Sequence, residues 1–129
     1  MIPSELTAHE ALDRLAAGEL SSVELTRSVL DRIEATEAEI HAYISVDPEG
    51  ALSAAAEIDS QRQSGASLGP LAGIPLAIKD VLCVRGGRTT CGSAILTDYV
   101  APYDATAVAR VRDAGAIFIG KTNMDEFAM

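Results

Sequence analysis

Residues 74–120 read as strand, helix, strand, and no other feature of this 129-residue chain constrains its fold as much. "IPLAI" (74–78) is a short apolar run bounded by turn residues, and "VLCV" (81–84) is a second candidate strand. "GGRTTCGSAI" (86–95) is glycine-rich and too irregular to assign. "ATAVARVRDA" (105–114) reads as a helix capped by Asp104, with Gly115 as its natural C-terminal stop. "AIFIG" (116–120) is then a third strand. A helix joining two strands in this order favours an α/β arrangement with a partly parallel sheet.

The first half has a different grammar. Thr7-Ala8-His9-Glu10 and Ser21-Ser22-Val23-Glu24 both match the capping box, in which side chains satisfy amide donors that a helix start leaves unpaired. After the second box, Val23, Leu25, Val29, Leu30 and Ile33 recur at helical spacing and form one apolar face. Asp47, Pro48 and Glu49 read as N-cap, first helical residue and first-turn acid of a third helix, which should stop near Ser64-Gly65. The expected division is a helical segment over 1–65 and a strand–helix–strand segment over 66–129, with "SGASLGPLAG" (64–73) as the loop between them.

Charge divides the same way. The net charge is −9, and residues 1–65 hold 13 acids against 4 bases while residues 66–129 hold 6 of each. Neither half carries the basic stripe that grips a nucleic acid, so any such substrate is expected to be held by another chain. No apolar run approaches the roughly 18 residues of a transmembrane helix. The start, "MIPSELTAHEALDRLAAGE", lacks the basic-then-apolar pattern of a signal peptide, so a cytoplasmic protein without membrane contact is expected. Cys83 and Cys91 fit neither a zinc site nor a redox CxxC and read as reduced, partly buried thiols. His9 and His41 lie far apart in acidic helical sequence, and nothing nearby completes a metal site.

"GAIFIGKT" (115–122) matches the phosphate-binding pattern G-x-x-x-x-G-K-[ST] letter for letter. That chemistry needs the central residues to form a loop of amides leading into a helix. Ala-Ile-Phe-Ile is instead the most strand-like run in the chain, so nucleotide binding here is rejected. Gly115 is assigned to the preceding helix end and Gly120 to a strand-end turn.

The chain supplies eight of its ten basic residues as Arg; Lys79 and Lys121 are its only lysines. Strand alternation places Ile74, Leu76 and Ile78 on one face and Pro75, Ala77 and Lys79 on the other. Lys79 therefore shares its face with small residues that leave room for a ligand. Arg stays protonated in proteins, whereas a desolvated Lys can lose its proton and act as a neutral base. The alternative is a solvated charge whose stem lies along apolar surface, and local sequence leaves both open. Lys121, followed at once by "TN", reads as the more strongly solvated of the two. Asp80 reads either as a salt-bridge partner or as a loop acid.

Taken together, "PLAGIPLAIKD", "GGRTTCGSAIL", "YVAPYDATAVARVRDAGAIFIGKTNMDEFAM" and the acidic helical start resemble the amidase signature family, over the whole chain and in the family's segment order. Within it, "GKTNMDEFAM" is most similar to the glutaminase (A) subunits of tRNA-dependent Asp/Glu amidotransferases. The resemblance implies the amino-terminal part of an amidase-signature α/β fold: helices first, then the first strands and a helix of a mixed sheet. It also implies amide hydrolysis by a Ser–cis-Ser–Lys triad, with Lys79 as the catalytic lysine and, more weakly, Met129 lining the acyl pocket. Ser93 falls on a structural glycine-turn segment, not on the nucleophile. The family's serines and oxyanion glycines follow "MDEFAM", beyond Met129, so the domain is expected to be incomplete at its C-terminus and the chain inactive alone.

For an amidotransferase of this kind, glutamine is the substrate, the B and C subunits are the partners, and tRNA is contacted mainly through the B subunit. No cofactor is expected on this chain, since ATP and Mg are used by the partner. A stand-alone amidase of the same family is the rival reading. A non-catalytic interaction module, built on helices 7–17 and 22–40, is the reading from a different class.

Overall fold

The structure is a computed structural model that describes residues 2–129. Both capping boxes form. Thr7 starts α1 (Ala8–Ala17): its amide donates to Glu10 Oε2 at 2.8 Å, and its hydroxyl accepts from the Glu10 amide. Ser21 and Glu24 repeat the arrangement at α2 (Ser22–Ile40). Each box operates within four residues, so local sequence suffices to set these starts. Asp47 caps α3 (Pro48–Gln63) by accepting from the Gly50 amide at 2.9 Å, and the helix stops at Ser64 as expected.

The second half departs from expectation in three places. β2 (Pro75–Lys79) and β3 (Ile117–Thr122) form, but "VLCV" is a turn and bend rather than a strand. From there to α4 (Thr106–Asp113) the chain runs irregularly, closed by one antiparallel bridge between Arg88 and Val100. Asp104 does not cap α4. Ala105 holds the N-cap position, while the Asp104 carboxylate accepts from the Arg85 amide at 2.7 Å and from the Arg112 guanidinium at 3.0 Å. Two charged or backbone donors outcompete the helix terminus, and together they tie the loop to the last turn of α4.

The stop at Gly115 is as expected. With φ at 89°, it lets its amide donate to Arg112 O and the Ala116 amide to Val111 O, the paired bonds of a Schellman ending. Gly120 is not a turn residue: it lies inside β3. A Cβ there would collide with the Ser45 carbonyl oxygen and approach Val46 Cα at 2.9 Å. Glycine is required because a neighbouring backbone passes close against it.

That neighbour is β1 (Tyr43–Val46), a strand inside the segment read as wholly helical. It pairs antiparallel with β3, and β2 pairs parallel with β3 on the other side, giving the order β1–β3–β2. Both ladders are irregular, with register shifts at Tyr43/Ser45 and Leu76/Ala77. The connection from β2 through α4 to β3 is the crossover that strand–helix–strand order required.

Two apolar clusters hold the helices down. Ala11, Leu15, Leu25 and Ile74 form one, flanked by Leu6, Leu12 and Leu20. Ala51, Ala55, Ile117 and Ile119 form the other, with Val23, Val29, Leu30 and Ile33 packed against it. The single apolar face read on α2 is thus shared: Leu25 faces one cluster and its neighbours serve the other. Small alanines on α3 let that helix lie close against β3. Among the described residues no helix is long and apolar enough to cross a membrane.

A polar joint links these layers. The Asp59 carboxylate, from α3, accepts from the amides of Ser22 at 2.8 Å and Val23 at 3.0 Å, capping α2 from another helix. Arg62 lies beside it at 3.6 Å and donates to Ala72 O at 3.0 Å, joining α3 to the loop before β2. Replacing Asp59 by Ala removes two charge-assisted bonds and leaves partly buried donors at the α2 start. We expect Asp59→Ala to lower unfolding free energy by about 2–3 kcal/mol. The exposed box variant Thr7→Ala should lose only about 1 kcal/mol. Urea denaturation of the two variants side by side checks the ranking.

Candidate active site

Lys79 ends β2, opposite Thr122 of β3, and its side chain is exposed. Burial along the strand follows the expected alternation at its C-terminal end, with Ile78 buried between exposed Ala77 and Lys79. Pro75 departs from it. It is half-buried because it meets Leu25 and Val29 of α2 around a small hollow. No hydrogen bond or ion pair engages the Lys79 side chain among the described residues. Its backbone, by contrast, is held firmly: Lys79 O accepts from the Leu82 amide at 2.9 Å, and the next amide, of Asp80, donates to Thr122 O at 3.2 Å.

The buried lysine is Lys121, contrary to the expectation of a solvated turn residue. Burial alternates along β3 as Ile117, Ile119, Lys121, and the Lys121 residue is only 8% exposed. Its ammonium donates to Asp80 Oδ1 at 2.8 Å, to Thr89 Oγ1 at 3.2 Å and to the Arg88 carbonyl at 3.2 Å. Asp80, 1% exposed, is therefore the ion-pair partner rather than a loop acid. Its Oδ2 accepts from the Thr90 amide at 3.0 Å and from the Thr90 hydroxyl. Burial opposes ionisation of Asp80, but the bonds from Lys121 and Thr90 outweigh it and hold the carboxyl below its ordinary value.

The same loop reaches the end of the chain. Cys91 donates its amide to Asp80 O at 3.2 Å, and Cys91 O accepts from the Phe127 amide at 2.9 Å. Ser93 is buried; its hydroxyl donates to Glu126 Oε1 at 2.7 Å and accepts from the Ile95 amide. These bonds engage Ser93 in closing one turn onto another, in keeping with a structural part. Phe127 and Ala128 adopt positive φ, 53° and 59°, and Met129 follows them at 95% exposure. Lys79 and Met129 are not joined directly, but both hang from the 80–93 loop, one through Asp80 and the other through Cys91 and Ser93. Asn123 completes the frame: its amide donates to Ala42 O at 2.7 Å and its side chain to His41 O at 3.2 Å, pinning the entry of β1.

Residues 117–122 are strand throughout, so the phosphate-loop reading of "GAIFIGKT" has no loop to use. Cys83 and Cys91 are free, half-buried thiols. Among the described residues no group of three or more His, Cys, Asp or Glu could hold a metal ion. A shallow cleft lined by Asp80, Thr90, Ser93 and Asn123 lies beside the ion pair, away from Lys79. The Lys121–Asp80–Thr90 network was the feature sequence reading missed. Its signal was present: a lysine continuing the alternation of Ile117 and Ile119 falls on a buried face and must find an acid.

The family model described as Amidase matches residues 24–129. The chain is 55% identical over 125 residues to the A subunit of the glutamyl-tRNA(Gln) amidotransferase of Geobacter sulfurreducens, covering 97% of this chain and 26% of that protein. It is 56% identical over 125 residues to the protein of the same name from Natranaerobius thermophilus, again covering 97% and 26%. The chain thus spans about a quarter of the length of the curated relatives it matches. Among solved structures it is similar to the native peptide amidase of Stenotrophomonas maltophilia, with a TM-score of 0.89, 40% identity, and coverage of 98% of this chain and 26% of that one. A fatty acid amide hydrolase superposes with a TM-score of 0.89 at 25% identity, covering 95% and 22%.

Removing one partner of a buried pair leaves the other charge without compensation. Lys121→Met should lower unfolding free energy by about 3–5 kcal/mol at neutral pH. Because Asp80's folded pKa is depressed, its stabilising contribution is present above the unfolded carboxyl pKa and is lost as pH falls through the folded value. The deficit of Lys121→Met relative to the parent should therefore shrink in acid. Denaturant titrations at neutral pH and below the carboxylate range measure it.

Proposed function

The chain belongs to the amidase family, and from that premise we propose that it is the lysine-bearing part of a glutamine-hydrolysing amidotransferase subunit. In this reading Lys79 is the base of a Ser–cis-Ser–Lys triad. It takes the nucleophile's proton through the bridging serine, and backbone amides stabilise the oxyanion that forms. The serines belong to sequence that follows Met129 in the family pattern, with Met129 lining the acyl pocket. Residues 1–129 alone are therefore expected to hydrolyse no glutamine.

The observation that carries this reading is the contrast between the two lysines. Lys121 is committed to Asp80 and two oxygen acceptors. Lys79 ends β2 with its side chain exposed and, among the described residues, without a hydrogen bond or ion pair. An arginine there would keep the charge and forfeit the chemistry.

The released ammonia would pass to a partner, the B subunit, which activates the misacylated tRNA with ATP and Mg, while the C subunit completes the complex. The acidic first half, neutral second half and missing basic stripe accord with a protein that leaves tRNA to its partner in the cytoplasm. The likeness to a peptide amidase supports a second reading, a stand-alone amidase with the same triad. Transfer of ammonia from glutamine to Glu-tRNA, assayed on the full-length protein with its partner subunits, separates the two. Lys79→Arg in the full-length protein should lower amide turnover at least about a hundredfold, with an unchanged far-UV circular dichroism spectrum. Retained turnover would reduce Lys79 to a surface charge.

A further inference from the structure

We propose that Ser93 and Glu126 are positioning residues for the acyl pocket: their hydrogen bond docks the turn that carries Met129 onto the 90–93 loop and so sets how closely the pocket fits its amide substrate. The inference rests on the reading of Met129 as a pocket-lining residue.

The turn cannot hold its shape by itself. Phe127 and Ala128 both adopt positive φ, 53° and 59°, a region that disfavours residues with a Cβ. Two such residues in a row persist only where the surrounding structure over-determines them. Within the turn, the Ala128 amide donates to Asp125 O at 2.9 Å and the Met129 amide to Glu126 O at 3.3 Å. The remaining support comes from the 90–93 loop. Cys91 O accepts from the Phe127 amide at 2.9 Å, and the Ser93 hydroxyl donates to Glu126 Oε1 at 2.7 Å. Gly92 lies between these two contacts. A Cβ there would come within 2.8 Å of Met124 O, so the two backbones pass in close contact.

Ser93 is a firm anchor. It is 4% exposed, its amide donates to Thr90 O at 2.9 Å, and its hydroxyl oxygen accepts from the Ile95 amide at 3.3 Å. Glu126 is an exposed residue, so its side chain is drawn to the loop by the charge-assisted bond to Ser93 rather than by burial. Glu126 O in turn accepts from the Met129 amide, and the path from the buried hydroxyl to Met129 stays within one turn. Met129 is 95% exposed, so among the described residues its place is set by this backbone and not by packing. Cutting the bond at Glu126 lets Phe127 and Ala128 relax toward ordinary φ, and Met129 moves with them.

The test is steady-state hydrolysis of glutamine, and of asparagine with its shorter side chain, by the full-length enzyme. A displaced pocket wall weakens ground and transition states alike, which raises KM and leaves kcat in place. Glu126→Ala should raise KM for glutamine about tenfold with kcat changed less than about twofold, and narrow the kcat/KM preference for glutamine over asparagine about fivefold. Ser93→Ala should do the same, and the double variant should be no worse than either single one, since all three lose the same bond. Glu126→Gln keeps an acceptor oxygen for the Ser93 hydroxyl and should restore both quantities. A merely structural role would lower the fraction of folded enzyme, cutting apparent kcat while leaving KM and the preference unmoved. That outcome, additive effects in the double variant, or a Gln substitution no better than Ala overturns the inference. Should Ser93→Ala fail to fold, Glu126→Ala and Glu126→Gln still decide, because Glu126 is exposed. Met129→Ala separates the two levels. If it moves neither KM nor the preference, the pocket reading falls and this inference with it; if it moves them while Glu126→Ala does not, this inference alone falls.

Discussion

The ion pair between Asp80 and Lys121 joins the end of β2, the loop that follows it and the end of β3, and the candidate site is arranged around it. A buried carboxylate and ammonium are tolerable only when each is hydrogen-bonded as well as paired. Here Lys121 uses all three of its donors, on Asp80, Thr89 and Arg88. Asp80 uses both oxygens, the second on Thr90. The irregular stretch after Lys79 is ordered by this cluster without a regular element of its own. Loss of the pair would release the loop that also carries Cys91 and Ser93, and through them the turn ahead of Met129.

A second polar joint does comparable work at the other end of the molecule. Asp59 and Arg62 on α3 reach the start of α2 and the loop before β2. The helical layer is therefore attached to the sheet by directional bonds as well as by the apolar contacts of Ala51, Ala55, Ile117 and Ile119. With apolar faces this small, a non-directional core would leave the helices free to slide. Fixed carboxylate–amide contacts remove that freedom and, with it, uncertainty in where β2 and its terminal lysine lie.

The two lysines show how function was legible in part. Scarcity of lysine, small neighbours on one strand face and the proton chemistry of an amine singled out Lys79, whereas in the structure its side chain is exposed. The same reasoning misplaced Lys121, because the turn residues after it suggested solvent and its partner lies 41 residues earlier. Asp104 was misassigned for a related reason. As a helix cap it satisfied every local rule, but Arg85 and Arg112 offered stronger donors once the loop had folded back.

What the sequence by itself determined is whatever is decided within a few residues: both capping boxes, the Asp47-Pro48 start, the Gly115 ending, and the strand–helix–strand order that implies a partly parallel sheet. Its motifs also carried the family resemblance, since these are contiguous stretches. Only the tertiary structure decided the rest. It placed β1 against β3, which required glycine at 120, capped α2 with a carboxylate from α3, and buried Lys121 instead of Lys79. Each of these depends on strand register and helix docking between segments tens of residues apart. Hydrogen-bond partners and desolvation are properties of that assembled geometry, and no local window contains them.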